Sequence, residues 1–288
     1  MKVYENNHNL IIENSRDFDL KQTFECGQCF RWDYSDGGYL GVTFGKALKI
    51  CQNDNKIILE NTSLSDWENI FSSYFDMERD YGKIKEALSR DEKMKEAISF
   101  GEGIRILNQY PFETLISFII SASNNIPRIK KIIASLCENF GEEIKYQGKT
   151  FYSFPTPEKI ASLSLSDIDI IKSGFRGKYI LSAAKAVKSG QIDLECLKNA
   201  SFEYAKNELL KLSGVGNKVA DCVLLFGLSK YSGFPVDVWI KRIMEYCYFG
   251  KEVTKEEVSQ FANDKFGELG GFAQQYLFYW ARENKIGV

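Results

Sequence analysis

Two residues in this chain could do covalent chemistry together. Lys218 follows the paired glycines Gly214 and Gly216 in LSGVGNKVAD, residues 212–221, and Asp237 stands in the downstream stretch SGFPVDVWIKRI. The glycines let the backbone turn tightly and let a ligand approach it closely. The stretch sits between two helical patterns, at about 202–212 and 218–229, so it reads as helix, glycine hairpin, helix. The amides of Gly214, Val215 and Gly216 can then point at one phosphate, aided by the dipole of the second helix. A plain αα-corner would use the same glycines.

Lys218 falls in the first turn of the second helix, where the helix dipole and burial both disfavour an ammonium. A neutral amine there is a nucleophile toward carbon and can form a Schiff base. Beside a bound backbone phosphate its nearest electrophile is a sugar carbon; the simpler alternative is a lysine that pairs with the phosphate. Asp237, just after Pro235 and before an apolar-periodic helix, reads as an N-cap. In that place its carboxylate can also face positive charge developing on a sugar ring.

Composition removes competing chemistries. The chain holds one histidine, His8, near its start, which argues against histidine acid–base or triad catalysis. Catalysis has to come from carboxylate, lysine or cysteine. Of seven cysteines only Cys26 and Cys29 form a C-x-x-C, too few ligands for a zinc site and outside any thioredoxin-like βαβ context. They read as reduced structural thiols. Hydrophobic residues at 44% and charged residues at 26% describe an ordinary soluble balance. The net charge of −2 argues against a broad nucleic-acid coat but leaves room for a local basic groove. No stretch reads as a membrane span or a signal-peptide core, so a cytoplasmic or nucleoid location is expected.

These residues need a scaffold. Residues 1 to about 60 alternate as strands do, with turns at Gly45–Lys46 and Asn53–Asn55. Helical spacing follows in SDWENIFSSYF and GKIKEALSRDEKMKEAIS. From about residue 111 the chain reads as all helix. Pro111 and Pro127 suit first helical positions. Ile129, Ile132, Ile133, Leu136 and Phe140 share one face that Gly141 closes. Thr156 and Ser201 read as caps, and Thr254–Glu257 as a capping box.

Five ordered blocks, CGQCFRW, SFIISASNNIPRI, SGFRGKYI, LSGVGNKVADCVLLFGLSKYSGFPVDVWI and GGFAQQYLFYW, resemble the helix–hairpin–helix DNA glycosylases, and among them the 8-oxoguanine DNA glycosylase/AP lyases. The resemblance runs over nearly the whole chain. It implies that Lys218 attacks the anomeric carbon, expels the oxidised base and forms an imine, after which β-elimination nicks the strand. It implies that Asp237 stabilises the charged sugar. The Gly27 carbonyl would accept a hydrogen bond from the N7–H that 8-oxoguanine has and guanine lacks; guanine's N7 lone pair would repel it. Cys222, one helical turn after Lys218, would lie on one face of the flipped base, Phe278 on the other, with Gln274 on the Watson–Crick edge. Phe278 as a core aromatic and Cys222 as a small buried residue are the plainer readings. Asn124, Asn125, Arg128 and Arg176 match the reader of the estranged base, although asparagine capping and solvated arginines are open alternatives.

The chain departs from the family in places. Ser123 stands where the first of three asparagines is usual, Trp239 where a phosphate-contacting histidine is usual, and Phe175 where a wedge tyrosine is usual. No cysteine follows Cys247, so no iron–sulfur cluster is expected. The expectation is an α+β chain, with an N-terminal antiparallel sheet domain over residues 1–105. A helical glycosylase region of two sub-domains over 106–288 holds the active site in its cleft. It would be a monomer acting on damaged double-stranded DNA, away from membranes, with no redox cofactor and at most a structural cation at the hairpin carbonyls. The rival readings are a helix–hairpin–helix glycosylase for another damaged base and a non-enzymatic DNA-binding module.

Overall fold

The computed structural model describes residues 1–53 and 56–286. Six strands form one antiparallel sheet: β1 (Lys2–Asn6), β2 (Asn9–Glu13), β3 (Trp32–Ser35), β4 (Gly38–Thr43), β5 (Lys46–Asn53) and β6 (Lys56–Leu59), in the order β1-β2-β6-β5-β4-β3. Alternation fixes its buried face. Leu10 pairs with Leu59, Ile12 with Ile57 and Ile50 with Leu59, and all five are fully enclosed. The β4–β5 turn sits one residue earlier than the sequence suggests, at Phe44 and Gly45, both left-handed as a two-residue hairpin requires. Of the turn expected at Asn53–Asn55, Asp54 and Asn55 lie outside the described residues. A helix that alternation did not reveal, α1 (Leu20–Glu25), interrupts the strands; the Asp19 carboxylate caps it by accepting from Gln22 N at 2.8 Å.

The helical part begins with α2 (Tyr81–Leu88) and α3 (Glu92–Phe100), followed by α4 (Pro111–Ser121) and α5 (Ile126–Phe140). Pro111 opens α4 as expected, whereas α5 starts at Ile126, capped by Asn125, with Pro127 second. Next come α6 (Gly177–Lys188), α7 (Phe202–Leu210), α8 (Asn217–Phe226), α9 (Val238–Met244), α10 (Lys255–Phe266) and α11 (Gly270–Glu283). The caps at Thr156 and Ser201 and the Thr254–Glu257 capping box all form. The expectation of helix alone after residue 111 needs one correction. Strands β7 (Glu143–Tyr146) and β8 (Lys149–Tyr152) form a hairpin on a left-handed Gln147-Gly148 turn. Tyr146 joins it to the sheet domain, its hydroxyl accepting from Lys49 N at 3.2 Å and its ring packing on Val42 and Ala47.

Besides the small cluster of Val42, Ala47 and Tyr146, two large cores hold the described residues together. One lies under the sheet, where Phe24, Trp32, Phe71, Tyr74 and Phe75 pack with the strand residues. The larger one is helical and takes in α2 and α3, which pack toward α11 although they precede residue 105. Among the described residues no helix is long and apolar enough to cross a membrane.

All seven cysteines are free thiols. Burial pushes the thiols of Cys26, Cys137 and Cys222 up to about 12, whereas an unfolded thiol titrates near about 8.5. The native state therefore keeps protons that the unfolded chain releases, and stability falls as pH rises above about 8.5. Melting curves recorded from about pH 7.5 to 10 should show Tm dropping steadily. A Tm that held level over that range would contradict the burial of these thiols.

Candidate active site

The hairpin is built as its residue types require. Gly214 has φ +86, and a Cβ there would come within 2.5 Å of the Tyr179 ring, so no other residue fits. Nothing lies within 4 Å of where a Cβ of Gly216 would be, so the approach to that backbone is open. Gly216 is the extended N-cap of α8 and puts no side chain over the helix start. One expectation is corrected: the Val215 amide donates to Leu212 O at 3.1 Å and its side chain is buried. It is the tight turn that engages this amide, so the expected three-amide cradle reduces to Gly214 and Gly216. An ion pair between Lys206 of α7 and the buried Asp221 of α8, at 2.8 Å, ties the two helices of the motif together.

Lys218 is the second residue of α8 and half-buried. Its Nζ donates to Ser121 Oγ at 3.0 Å and lies 5.0 Å from the centre of the Phe118 ring. The Ser121 hydroxyl in turn donates to the Phe118 carbonyl at 2.7 Å, which leaves its oxygen free to accept from the amine. Cys222, one turn further on, is buried, and the nearby Lys218 only partly offsets the burial that raises its thiol. Cys222 therefore stays a protonated thiol near neutral pH. Asp237 caps α9 through Ile240 N at 2.8 Å. Lys218 and Asp237 both line one cleft of about 830 Å³, together with Ser121, Asn124, Gly214, Gly216 and Trp239. Trp239 is 44% exposed, beside Arg242.

The base-binding candidates gather at α11. Gly27 has φ +87, and a Cβ there would lie 3.0 Å from Phe278 Cε1, so the ring closes over the glycine. Gln274, one turn before Phe278, is buried, and its Oε1 has no partner among the described residues. These residues do not line the cleft that holds Lys218; the position of Phe278 against Gly27 leaves no gap between them for a base.

The residues matched to the estranged base divide. Arg128 is exposed at the start of α5, and Phe175 is 58% exposed. The asparagines act first as caps: Asn125 Oδ1 accepts from Arg128 N at 3.0 Å, and Asn124 Nδ2 donates to Ile120 O at 3.1 Å. Arg176 is not the solvated fork that its type suggests. It is buried and donates to the carbonyls of Ala122 at 2.5 Å, Ser123 at 2.9 Å and Ser173 at 3.2 Å. In this structure it braces the loop between α4 and α5, where Ser123 holds a left-handed φ of 49°. Sequence reasoning missed Ser121, Tyr179 and the glutamines Gln28 and Gln275. All four stand inside the ordered blocks, Gln28 in CGQCFRW, Ser121 in SFIISASNNIPRI, Tyr179 in SGFRGKYI and Gln275 in GGFAQQYLFYW, but nothing in those blocks shows which partner each side chain meets.

Two family models cover most of the chain: the N-terminal domain of 8-oxoguanine DNA glycosylase over residues 10–115 and the HhH-GPD superfamily base excision DNA repair protein over residues 116–268. The chain is 32% identical to the N-glycosylase/DNA lyase of Saccharomyces cerevisiae, over 82% of this chain and 69% of the yeast protein. It superposes with a TM-score of 0.97 on the 8-oxoguanine glycosylase/lyase of Clostridium acetobutylicum solved with double-stranded DNA containing cytosine opposite 8-oxoG. That protein is 44% identical, with 99% of each chain covered. A structure of MBOgg1 with a low-affinity DNA ligand is 48% identical, with a TM-score of 0.97 and 99% of each chain covered.

Proposed function

The chain belongs to the HhH-GPD superfamily of base excision DNA repair proteins, and on that premise we propose that it removes 8-oxoguanine from duplex DNA and then nicks the strand as an AP lyase. The observation that carries this reading is the meeting of Lys218 and Asp237 on the wall of one cleft, beside the open backbone of Gly216. The relatives named for N-glycosylase/DNA lyase activity support it.

The chemistry follows from those groups. A phosphate next to the damaged nucleotide sits at the Gly214 and Gly216 amides and the start of α8. The Lys218 amine, once it has lost a proton, donates one N–H to Ser121 and keeps its lone pair for the sugar. That pair forms the C1′–N bond as the C1′–base bond breaks, and the base leaves with the bonding electrons. The Asp237 carboxylate faces the cationic sugar in between. After the nitrogen loses a proton and the ring opens, the imine acidifies C2′, and loss of that proton expels the 3′ phosphate. The flipped base lies between Phe278 and Cys222. Gln274 Oε1, a buried acceptor, meets a donor on its edge and Gly27 O meets N7–H. Phe278 moves off Gly27 to admit the base.

The reading needs no redox cofactor. Hairpin carbonyls are hard oxygen donors that suit a structural cation, and no step above passes through it. The protein acts as a monomer on chromosomal DNA in the cytoplasm. Release assays on duplexes with single defined lesions test the reading. 8-Oxoguanine opposite cytosine should be released first and the strand cut; release of alkylated purines or oxidised pyrimidines instead would assign another lesion class.

Arg128 supplies the choice of opposite base, and Arg176 holds the loop that presents it. Arg128→Ala should narrow the cytosine-over-adenine preference by about tenfold to a hundredfold, the worth of one bidentate base contact. Excision opposite cytosine should slow less than that. A wild-type protein equally active opposite all four bases would remove Arg128 from this role.

A further inference from the structure

The loop that carries Gly27 is held by three glutamines outside the matched base-contact residues, Gln28, Gln109 and Gln275. Gln28 is fully buried, 0% exposed. Its Nε2 donates to Thr23 O at 2.8 Å and Arg105 O at 2.7 Å, with Cys26 Sγ at 3.3 Å. Its Oε1 accepts from Leu107 N at 2.8 Å, and its own carbonyl accepts from Gln109 Nε2 at 2.7 Å. On the other side of Gly27, Gln275 of α11 is buried and donates from Nε2 to Cys26 O at 2.7 Å. The peptide carbonyls on both sides of Gly27 are thus fixed by side-chain amides, that of Cys26 by Gln275 and that of Gln28 by Gln109, while the Gln28 side chain anchors its own residue to Thr23, Arg105 and Leu107. Among the described residues nothing donates to the Gly27 carbonyl between them.

A glycine at φ +87 has no side chain to hold its peptide plane, so its carbonyl points wherever its neighbours are pinned. Reading one proton on N7 demands a fixed acceptor, because an oxygen free to swing away from guanine's lone pair would lose its power to reject it. We propose that Gln28 and Gln275 are positioning residues for lesion specificity. They aim the Gly27 carbonyl and so set the preference for 8-oxoguanine over guanine without touching either base. Gln275 also lies next to Gln274 and three residues before Phe278 on α11. Its bond to Cys26 O therefore fixes the two walls of the base pocket to each other. This inference rests on the glycosylase reading above.

The test separates base reading from sugar chemistry. Gln275→Met and Gln28→Met keep the length of the side chain and remove its hydrogen bonds. Each is assayed on an 8-oxoguanine:C duplex and, separately, for borohydride trapping on a duplex with a preformed abasic site, which needs Lys218 and no base pocket. Excision should fall by about tenfold or more, on the scale of one lost hydrogen bond to a buried group, with trapping within about twofold. The ratio of affinities for non-cleavable 8-oxoguanine and guanine duplexes should shrink in parallel. Equal losses in excision and trapping, or an unchanged affinity ratio, would overturn the proposal and leave these glutamines as plain scaffold. Should Gln28→Met fail to fold, Gln275→Met, which breaks a single bond, decides alone. A wild-type protein that traps abasic DNA but ignores 8-oxoguanine would instead count against the glycosylase reading.

Discussion

Lys218→Gln is expected to lower 8-oxoguanine release by at least about a thousandfold, the scale on which losing a catalytic nucleophile shows itself. Affinity for the lesion duplex should stay within about threefold, because the hairpin amides and the base pocket are untouched. The side chain replaced is half-buried and makes one side-chain hydrogen bond, to Ser121 Oγ at 3.0 Å, which a glutamine amide can also donate to. The fold should therefore persist, and near-native melting of the variant separates loss of chemistry from loss of structure. Cys222 offers no substitute nucleophile, since burial holds its thiol up at about 12. Retained excision near the wild-type rate would mean that water, not the amine, displaces the base.

Asp237→Asn is the second large effect, and it isolates charge from structure. Asp237 Oδ1 accepts from Ile240 N at 2.8 Å, and an asparagine carbonyl oxygen caps a helix about as well. What the substitution removes is the negative charge that the proposed mechanism sets against the sugar as it becomes cationic. Base release should slow by about a hundredfold to a thousandfold, as when one preorganised electrostatic partner is removed. Nicking of a preformed abasic site should suffer far less, since no glycosidic bond has to break. Asp237→Ala should add a loss of stability of about 1 kcal/mol from the missing cap. If Asn and Ala variants lost activity and melting temperature together, the capping role alone would account for Asp237.

What was legible in the sequence follows from the range of the forces involved. The helix start at Pro111 rests on proline's fixed φ, and the cap at Ser201 and the box at Thr254 on local hydrogen bonds; all are readable within four residues and form where expected. So does the hairpin at Gly214, where only glycine tolerates both the backbone angle and Tyr179. The strand pair at 143–152 is short and flanked by helical patterns on both sides, which mask the turn signal of Gln147-Gly148. Contacts distant in sequence were not legible. Nothing near Arg176 announces that its guanidinium is held by carbonyls at Ala122 and Ser123, and Ser121 gives no sign that it receives Lys218. Gln275 looks like any helical glutamine until α11 is laid against the Cys26 carbonyl. The chemistry-bearing residue types could be picked out by motif; the side chains that aim them could be found only from their partners.

The proposed mechanism requires a bond between the Lys218 amine and the sugar during the reaction. Borohydride added while the protein turns over an 8-oxoguanine:C duplex, followed by digestion and peptide mapping of the product, tests this directly. A reduced protein–DNA adduct should accumulate, with the nucleotide remnant on Lys218 in the peptide containing LSGVGNKVAD. Release of the base with no adduct, or an adduct on a different lysine, would contradict the account.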